Sequence, residues 1–185
     1  MGGQAVAART DPLALFEAHR DAAYGVARRV TGAGPDDLED IVGEAFEEVF
    51  RAIGRGVVVA SLPHFVYGVT GRVCLRYLRR RARLARMVRR LVRGHAPHPP
   101  PETPATSAER AETVDSVQRA LLGLPPLWRA MVVMHHIEEV PICEIARDLG
   151  LREGTVKSRL FRARDALRRQ LGPHLFANHE EVDER

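Results

Sequence analysis

Residues 141–171 read PICEIARDLGLREGTVKSRLFRARDALRRQL. The spacing predicts a short helix, a tight turn at Gly150 and a longer second helix. In the first helix Ile142, Ile145, Ala146 and Leu149 fall on one face. Gly150 follows the last apolar position, where a helix often ends in a left-handed residue. In the second helix Val156, Leu160, Ala163, Leu167 and Leu171 form one apolar stripe. Thr155, Lys157, Ser158, Arg159 and Arg162 lie mostly off that stripe and face outward. Two helices joined by a short glycine turn, the second with a polar and cationic outer face, describe a helix-turn-helix. Such a helix fits the DNA major groove, where arginine and lysine reach guanine edges and hydroxyls reach phosphates. The alternative is an ordinary helical hairpin with solvated charges. Seven cations against two acids over residues 152–169 argue against it.

The chain has 185 residues and a net charge of +4, enough for one or two small domains. Of its 28 basic residues only Lys157 is a lysine. Cys74 and Cys143 are far apart, each where a small buried residue would serve, so neither a disulfide nor a zinc site is expected and an intracellular, cytoplasmic location is. Met1–Arg9 lacks the apolar segment of a signal peptide. No apolar run approaches the ~20 residues of a membrane span. The one strand-like run is Val57-Val58-Val59.

Outward from the quoted stretch, the rest of the chain also reads as helices. Asp11-Pro12 starts one as cap and first residue. Phe16, Ala23, Ala27 and Val30 give it a stripe, and residues 31–35 break it. The next helix carries Leu38, Ile41, Val42, Ala45, Phe46, Val49, Phe50 and Ile53 at unbroken helical spacing. Its other face holds seven acids between Asp36 and Glu48. On charge alone that face is solvated; the alternative is a docking surface for a basic partner. After a loop over 54–60, Ser61 caps a helix with Phe65, Val66, Val69 and Val73 inward, able to run to Arg93. Ten arginines and no acid lie between Arg72 and Arg93. That density is costly on a helix unless anions neutralise it. A nucleic-acid surface does so, with Tyr77 available for base stacking. A solvated basic segment, or pairing with the acidic helix inside the fold, are the alternatives.

Residues 94–108 hold five prolines and read as an extended linker. His95 and His98 there lack partners for a metal site. Beyond it a helix from about Glu109 carries Val114, Val117, Leu121 and Leu122. Leu127, Met131, Met134 and Ile137 follow in the next, with Trp128 over the core. His135 and His136, being adjacent, do not share a helix face, so no two-histidine metal site is expected. The fold class is therefore all-α: a loose end at 1–10, a helical domain at 11–93, a Pro-rich linker at 94–108, a helix-turn-helix domain at 109–171 and an acidic tail at 172–185. No Gly-rich phosphate loop, activated nucleophile or metal cluster is present. Neither enzymatic activity nor a cofactor is expected.

Residues 13–171 resemble a bacterial RNA polymerase sigma factor of the extracytoplasmic-function (ECF) group. LPP, EIA, LG and EGTVKSRL followed by RA carry the match to region 4. LEDIVGEAFEEVF and YLRRRAR carry the match to region 2. The resemblance implies that Asp40, Glu44, Phe46 and Glu47 dock on the clamp helices of the polymerase largest subunit, which reverses the reading of the acidic face. It implies that the loop before Pro63 and the helix that follows, with Arg72, Arg76, Tyr77, Arg79, Arg80 and Arg81, read and melt the proximal promoter element. Arg152, Thr155, Lys157, Ser158, Arg159 and Arg162 would read the distal element, and region 4 would contact the flap of the second-largest subunit. An anti-sigma protein is a further implied partner. The sequence departs from the family at Gly43, where Gln is usual, at Arg72 and Arg76 in the melting helix, and at Pro141 and Arg152 at the two caps. Two other functions fit the residues: a stand-alone helix-turn-helix regulator, and a sigma-like protein that binds polymerase core without opening DNA.

Overall fold

The structure is a computed structural model that describes residues 11–91 and 108–171. The expected N-terminal end, most of the Pro-rich linker with His95 and His98, and the acidic tail lie outside them. Seven α-helices follow one another: α1 (Pro12–Thr31), α2 (Pro35–Gly54), α3 (Leu62–Leu91), α4 (Ala108–Gly123), α5 (Pro126–Val132), α6 (Ile142–Leu149) and α7 (Glu153–Leu171). A π-helical turn, Val133–Ile137, continues α5.

The helix boundaries follow local chemistry. The Asp11 carboxylate accepts from the Leu13 amide at 3.1 Å and Pro12 takes the first turn of α1. Asp36 and Asp37 lie in the first turn of α2, where the helix dipole favours negative charge. Ser61 Oγ accepts from the His64 amide at the start of α3. The stripes expected on α1 and α2 are buried from Ala23 to Val30 and from Leu38 to Val49. The exposed thiol of Cys143 corrects the expectation that both cysteines are buried. Its helix is only two turns long and buries Ile145 and Ala146 instead. Adjacent His135 and His136 were expected to diverge. The widened π turn holds their rings 4.8 Å apart, and His135 Nδ1 lies 3.1 Å from the Val140 carbonyl.

Helices α1–α3 form one bundle and α4–α7 another, but their buried apolar residues make one continuous cluster. The two bundles meet along α3, which packs on α1 and α2 on one side and on α5 and α6 on another. Gly68 permits this approach. A Cβ there would sit 1.9 Å from Asp148 Oδ2, so a side chain would displace the Asp148 carboxylate from α3. Beside it Arg72 reaches Asp148 at 3.4 Å, and at the other end of the contact Arg29 reaches Glu138 at 3.2 Å.

Arg129 is the least expected part of this contact. It is only 6% exposed. Its guanidinium donates to the carbonyls of Val30, Leu122 and Leu124 at 2.7, 2.9 and 2.9 Å. These carbonyls lie at the C-terminal ends of α1 and α4, where unpaired oxygens carry partial negative charge. One cation thus ties helix ends from both bundles. Burial pulls its pKa below the ordinary value.

Two predictions follow from this packing. Arg129→Met keeps the stem and strands two buried carbonyls and a part-buried one, so denaturant unfolding should lose about 2–4 kcal/mol; a loss below about 0.5 kcal/mol would show that the guanidinium is dispensable. Burial raises the pKa of Asp148, with Arg72 and Arg147 opposing only in part. A carboxyl whose folded pKa is raised contributes stability below its ordinary range and loses it as pH rises through the folded value. The stability of the wild type relative to Asp148→Asn should therefore fall as pH rises above the ordinary carboxyl range of about 4. A difference that rises with pH would contradict the assignment.

Candidate nucleic-acid interface

The helix-turn-helix forms as its spacing requires. Pro141 precedes α6 with no side-chain cap, and its fixed φ of −60° leads into the first turn. Gly150 closes α6 at φ 64°, ψ 39°, in the left-handed region. The Leu151 amide then donates to the Ala146 carbonyl at 2.8 Å, which fixes the turn. α7 buries Val156, Leu160, Ala163 and Leu167 against α4, α5 and α6.

Off that stripe, Arg152, Lys157, Ser158 and Arg162 are exposed, and Thr155 and Arg159 are half-buried. Ser158 Oγ donates to the Thr155 carbonyl at 3.1 Å and keeps lone pairs for another donor. Among the described residues none of Arg152, Lys157, Arg159 and Arg162 forms an ion pair, and Arg159 Nη1 is buried without a hydrogen-bond partner. An unpaired guanidinium flanked by exposed cations is a site for an anion or a base edge. Thr155, Ser158, Arg159 and Arg162 share one side of α7 beside Arg152, whereas Lys157 lies round the helix beside Phe161 and Arg164.

The second cationic set is arranged differently. Arg72 approaches Glu48 at 4.0 Å as well as Asp148. Arg76 pairs with Glu44 at 2.9 Å and also with Glu48. Arg80 reaches Glu44 at 3.6 Å. Tyr77 Oη donates to Asp37 at 2.8 Å and accepts from Arg81 at 3.2 Å. Arg79 of this set is exposed, with no partner among the described residues. Pairing with the acidic helix inside the fold, one of the alternatives at the sequence level, accounts for Arg72, Arg76 and Arg80.

That pairing divides the acids of α2 in two. Glu44 and Glu48 face α3, whereas Asp40 and Glu47 are exposed on the other flank, with Glu47 only loosely tied to Arg51 at 3.8 Å. Phe46, expected at a docking surface, is 2% exposed and meets the Phe16 ring edge-on at 4.8 Å. It shapes the acidic face from beneath. Gly43 is exposed, with nothing within 4 Å of where a Cβ would stand. Sequence reasoning missed Arg129, Gly68 and the acids of α6. The available signal was charge: Glu144 and Asp148 are one turn apart on a helix that must pack somewhere, and α3 offers the surplus of arginine. No group of three metal-ligating side chains and no helix long and apolar enough to cross a membrane occurs among the described residues.

The comparisons agree with this geometry. Residues 15–84 match the family Sigma-70 region 2, and residues 115–167 match Sigma-70, region 4. The ECF RNA polymerase sigma factor SigM of Mycobacterium tuberculosis is 34% identical over 158 residues, covering 85% of this chain and 76% of that protein. SigE of Mycolicibacterium smegmatis is 32% identical over 160 residues, 86% of this chain, and the chain spans 61% of that relative's length. The fold is shared with the Bartonella quintana sigma factor RpoE, solved in complex with the anti-sigma factor NepR: TM-score 0.62, 19% identity, covering 86% of this chain and 92% of that one. Two helical units in the order region 2 then region 4, the second ending in a helix-turn-helix, and relatives of this extent show that the chain belongs to the ECF sigma factor family.

Proposed function

We propose that this protein binds the RNA polymerase core, directs it to promoters with two recognition elements and assists their melting. The observation that carries the reading is the outer surface of α7, whose four cations Arg152, Lys157, Arg159 and Arg162 have no acidic partner among the described residues. A single helix-turn-helix reads few bases, and each good bidentate contact discriminates by only ~1–3 kcal/mol. Useful selectivity therefore needs a second reading surface and a large partner. Region 2 supplies the surface through Arg79, Arg80 and Arg81, with Arg72, Arg76 and Tyr77 behind them. Polymerase is the partner, docked on the flank that carries Asp40 and Glu47, while region 4 meets the flap of the second-largest subunit.

In this reading the protein supplies no catalytic group. It positions the polymerase active site and works in the cytoplasm. The ion pairs of Arg72 and Arg76 bear directly on melting. Unpaired bases are held by stacking and by cations, so both arginines must exchange Glu44, Glu48 and Asp148 for DNA. The two bundles would separate on the polymerase to span both elements. The family and the Bartonella relative, which was solved with an anti-sigma factor, support a partner of that kind for this chain as well.

Co-elution of the full chain with polymerase core tests the proposal, with Asp40→Arg/Glu47→Arg alongside. Both residues are exposed, so the variant should fold normally and its co-elution should be lost or reduced by about tenfold or more. Failure of the wild type to co-elute, with duplex DNA binding retained, would make the protein a stand-alone regulator.

A further inference from the structure

The C-terminal part of α3 outruns the bundle. Tyr77 already sits opposite Asp37, close to the start of α2, and every residue from Arg79 to Arg90 is exposed. Twelve residues of helix span about 18 Å. Three large apolar side chains lie on this overhang: Leu84 and Met87 at 63% exposure and Val88 at 48%. Their i, i+3, i+4 spacing puts them on one face. That face is continuous with Tyr77, one heptad before Leu84.

The arginines bordering the stripe follow the same register. Arg76, Arg83 and Arg90 are seven residues apart, on the flank of Tyr77 and Leu84. The first of the three is already satisfied: Arg76 lies against Glu44 and Glu48 of α2, an acidic amphipathic helix packed along α3. Among the described residues no acid lies against Arg83 or Arg90. Arg86 and Arg89 spend only Nε, on the carbonyls of Ala82 and Ala85, and keep their terminal nitrogens. The overhang thus repeats the Arg76 and Tyr77 positions that α2 covers, and adds Met87 and Val88 where Arg80 and Arg81 stand one heptad earlier.

We propose that residues 83–90 of α3 dock an acidic amphipathic helix of a protein partner. Its apolar stripe lies on Leu84, Met87 and Val88, and its carboxylates face Arg83 and Arg90. Duplex DNA would neutralise the arginines but leave the apolar stripe in water. A lipid surface is a poorer fit, because the overhang has no aromatic residue and only a narrow stripe, whereas interfacial helices carry broad faces rich in Trp, Phe and Leu. Carboxylates arranged along a helix match the fork geometry of arginine. This inference rests on α2 and α3 alone and stands apart from the promoter-binding reading.

The test uses the full chain and a synthetic three-heptad helical peptide with leucine along one stripe and glutamate on both flanks, followed by fluorescence anisotropy. The peptide should bind the wild type. Binding should weaken about tenfold in Leu84→Gln/Met87→Gln, a change of exposed residues to another good helix former that leaves the helical signal intact. It should be lost in Arg83→Glu/Arg90→Glu and return when that variant meets the same peptide with lysine for glutamate. No binding to the wild type, or binding indifferent to both variants, would overturn the proposal. So would a loss of duplex DNA binding, or of binding to vesicles containing phosphatidylglycerol, on Leu84→Gln/Met87→Gln, since the stripe would then serve DNA or lipid.

Discussion

A helix with nine arginines and no acid between residues 72 and 90 must find its anions elsewhere. That constraint organises the molecule. Toward the middle of α3 the anions come from within the chain: Glu44 and Glu48 from α2, Asp148 from α6. Toward its end none of the described residues supplies one. The α2–α3 hairpin, the seat of α6 and the overhang beyond Arg81 all follow from where along α3 the carboxylates stop.

The contact between the bundles mixes opposing terms. Gly68 admits the Asp148 carboxylate against α3, and burial there raises that carboxyl's pKa despite two arginines. Glu138 behaves in the same way, with burial outweighing the help of Arg29. A desolvated ion pair is poor evidence for stability, because the cost of removing charges from water offsets most of their attraction. The cohesion comes instead from the continuous apolar cluster and from Arg129, which joins carbonyls of both bundles. A contact with apolar cohesion and costly charges is one that a competing surface with better anions can open. Polymerase and promoter DNA bring such surfaces in the proposed function.

Much of the fold was legible because its helices are amphipathic with clear ends. The stripe from Leu38 to Val49, the Asp11-Pro12 start and the Gly150 turn needed only local rules, and each took its expected form. The outer surface of α7 was legible for the same reason, since the residues not needed for the stripe are the ones left toward solvent. The long-range partners were not legible. Nothing near Arg72 in the sequence points to Asp148, 76 residues away, and Arg129 in LPPLWRA looks like a surface residue of an amphipathic helix. For Phe46 the two readings parted: the family resemblance implied a partner contact, while its phase in the stripe put it in the core, where it is found.

In the free chain the apolar cluster and Arg129 hold the two bundles together, with the Arg72–Asp148 pair between them, and the proposed function requires the bundles to part when polymerase binds. Cys143 offers a direct readout, being exposed while Cys74 is buried with its thiol pKa pushed up to about 12. A label on Cys143 in α6 and another on Ala18→Cys in exposed α1 report the separation of the bundles by energy transfer. The account predicts a short distance in the free chain, lengthening on addition of polymerase core. The same distance in both states would contradict it.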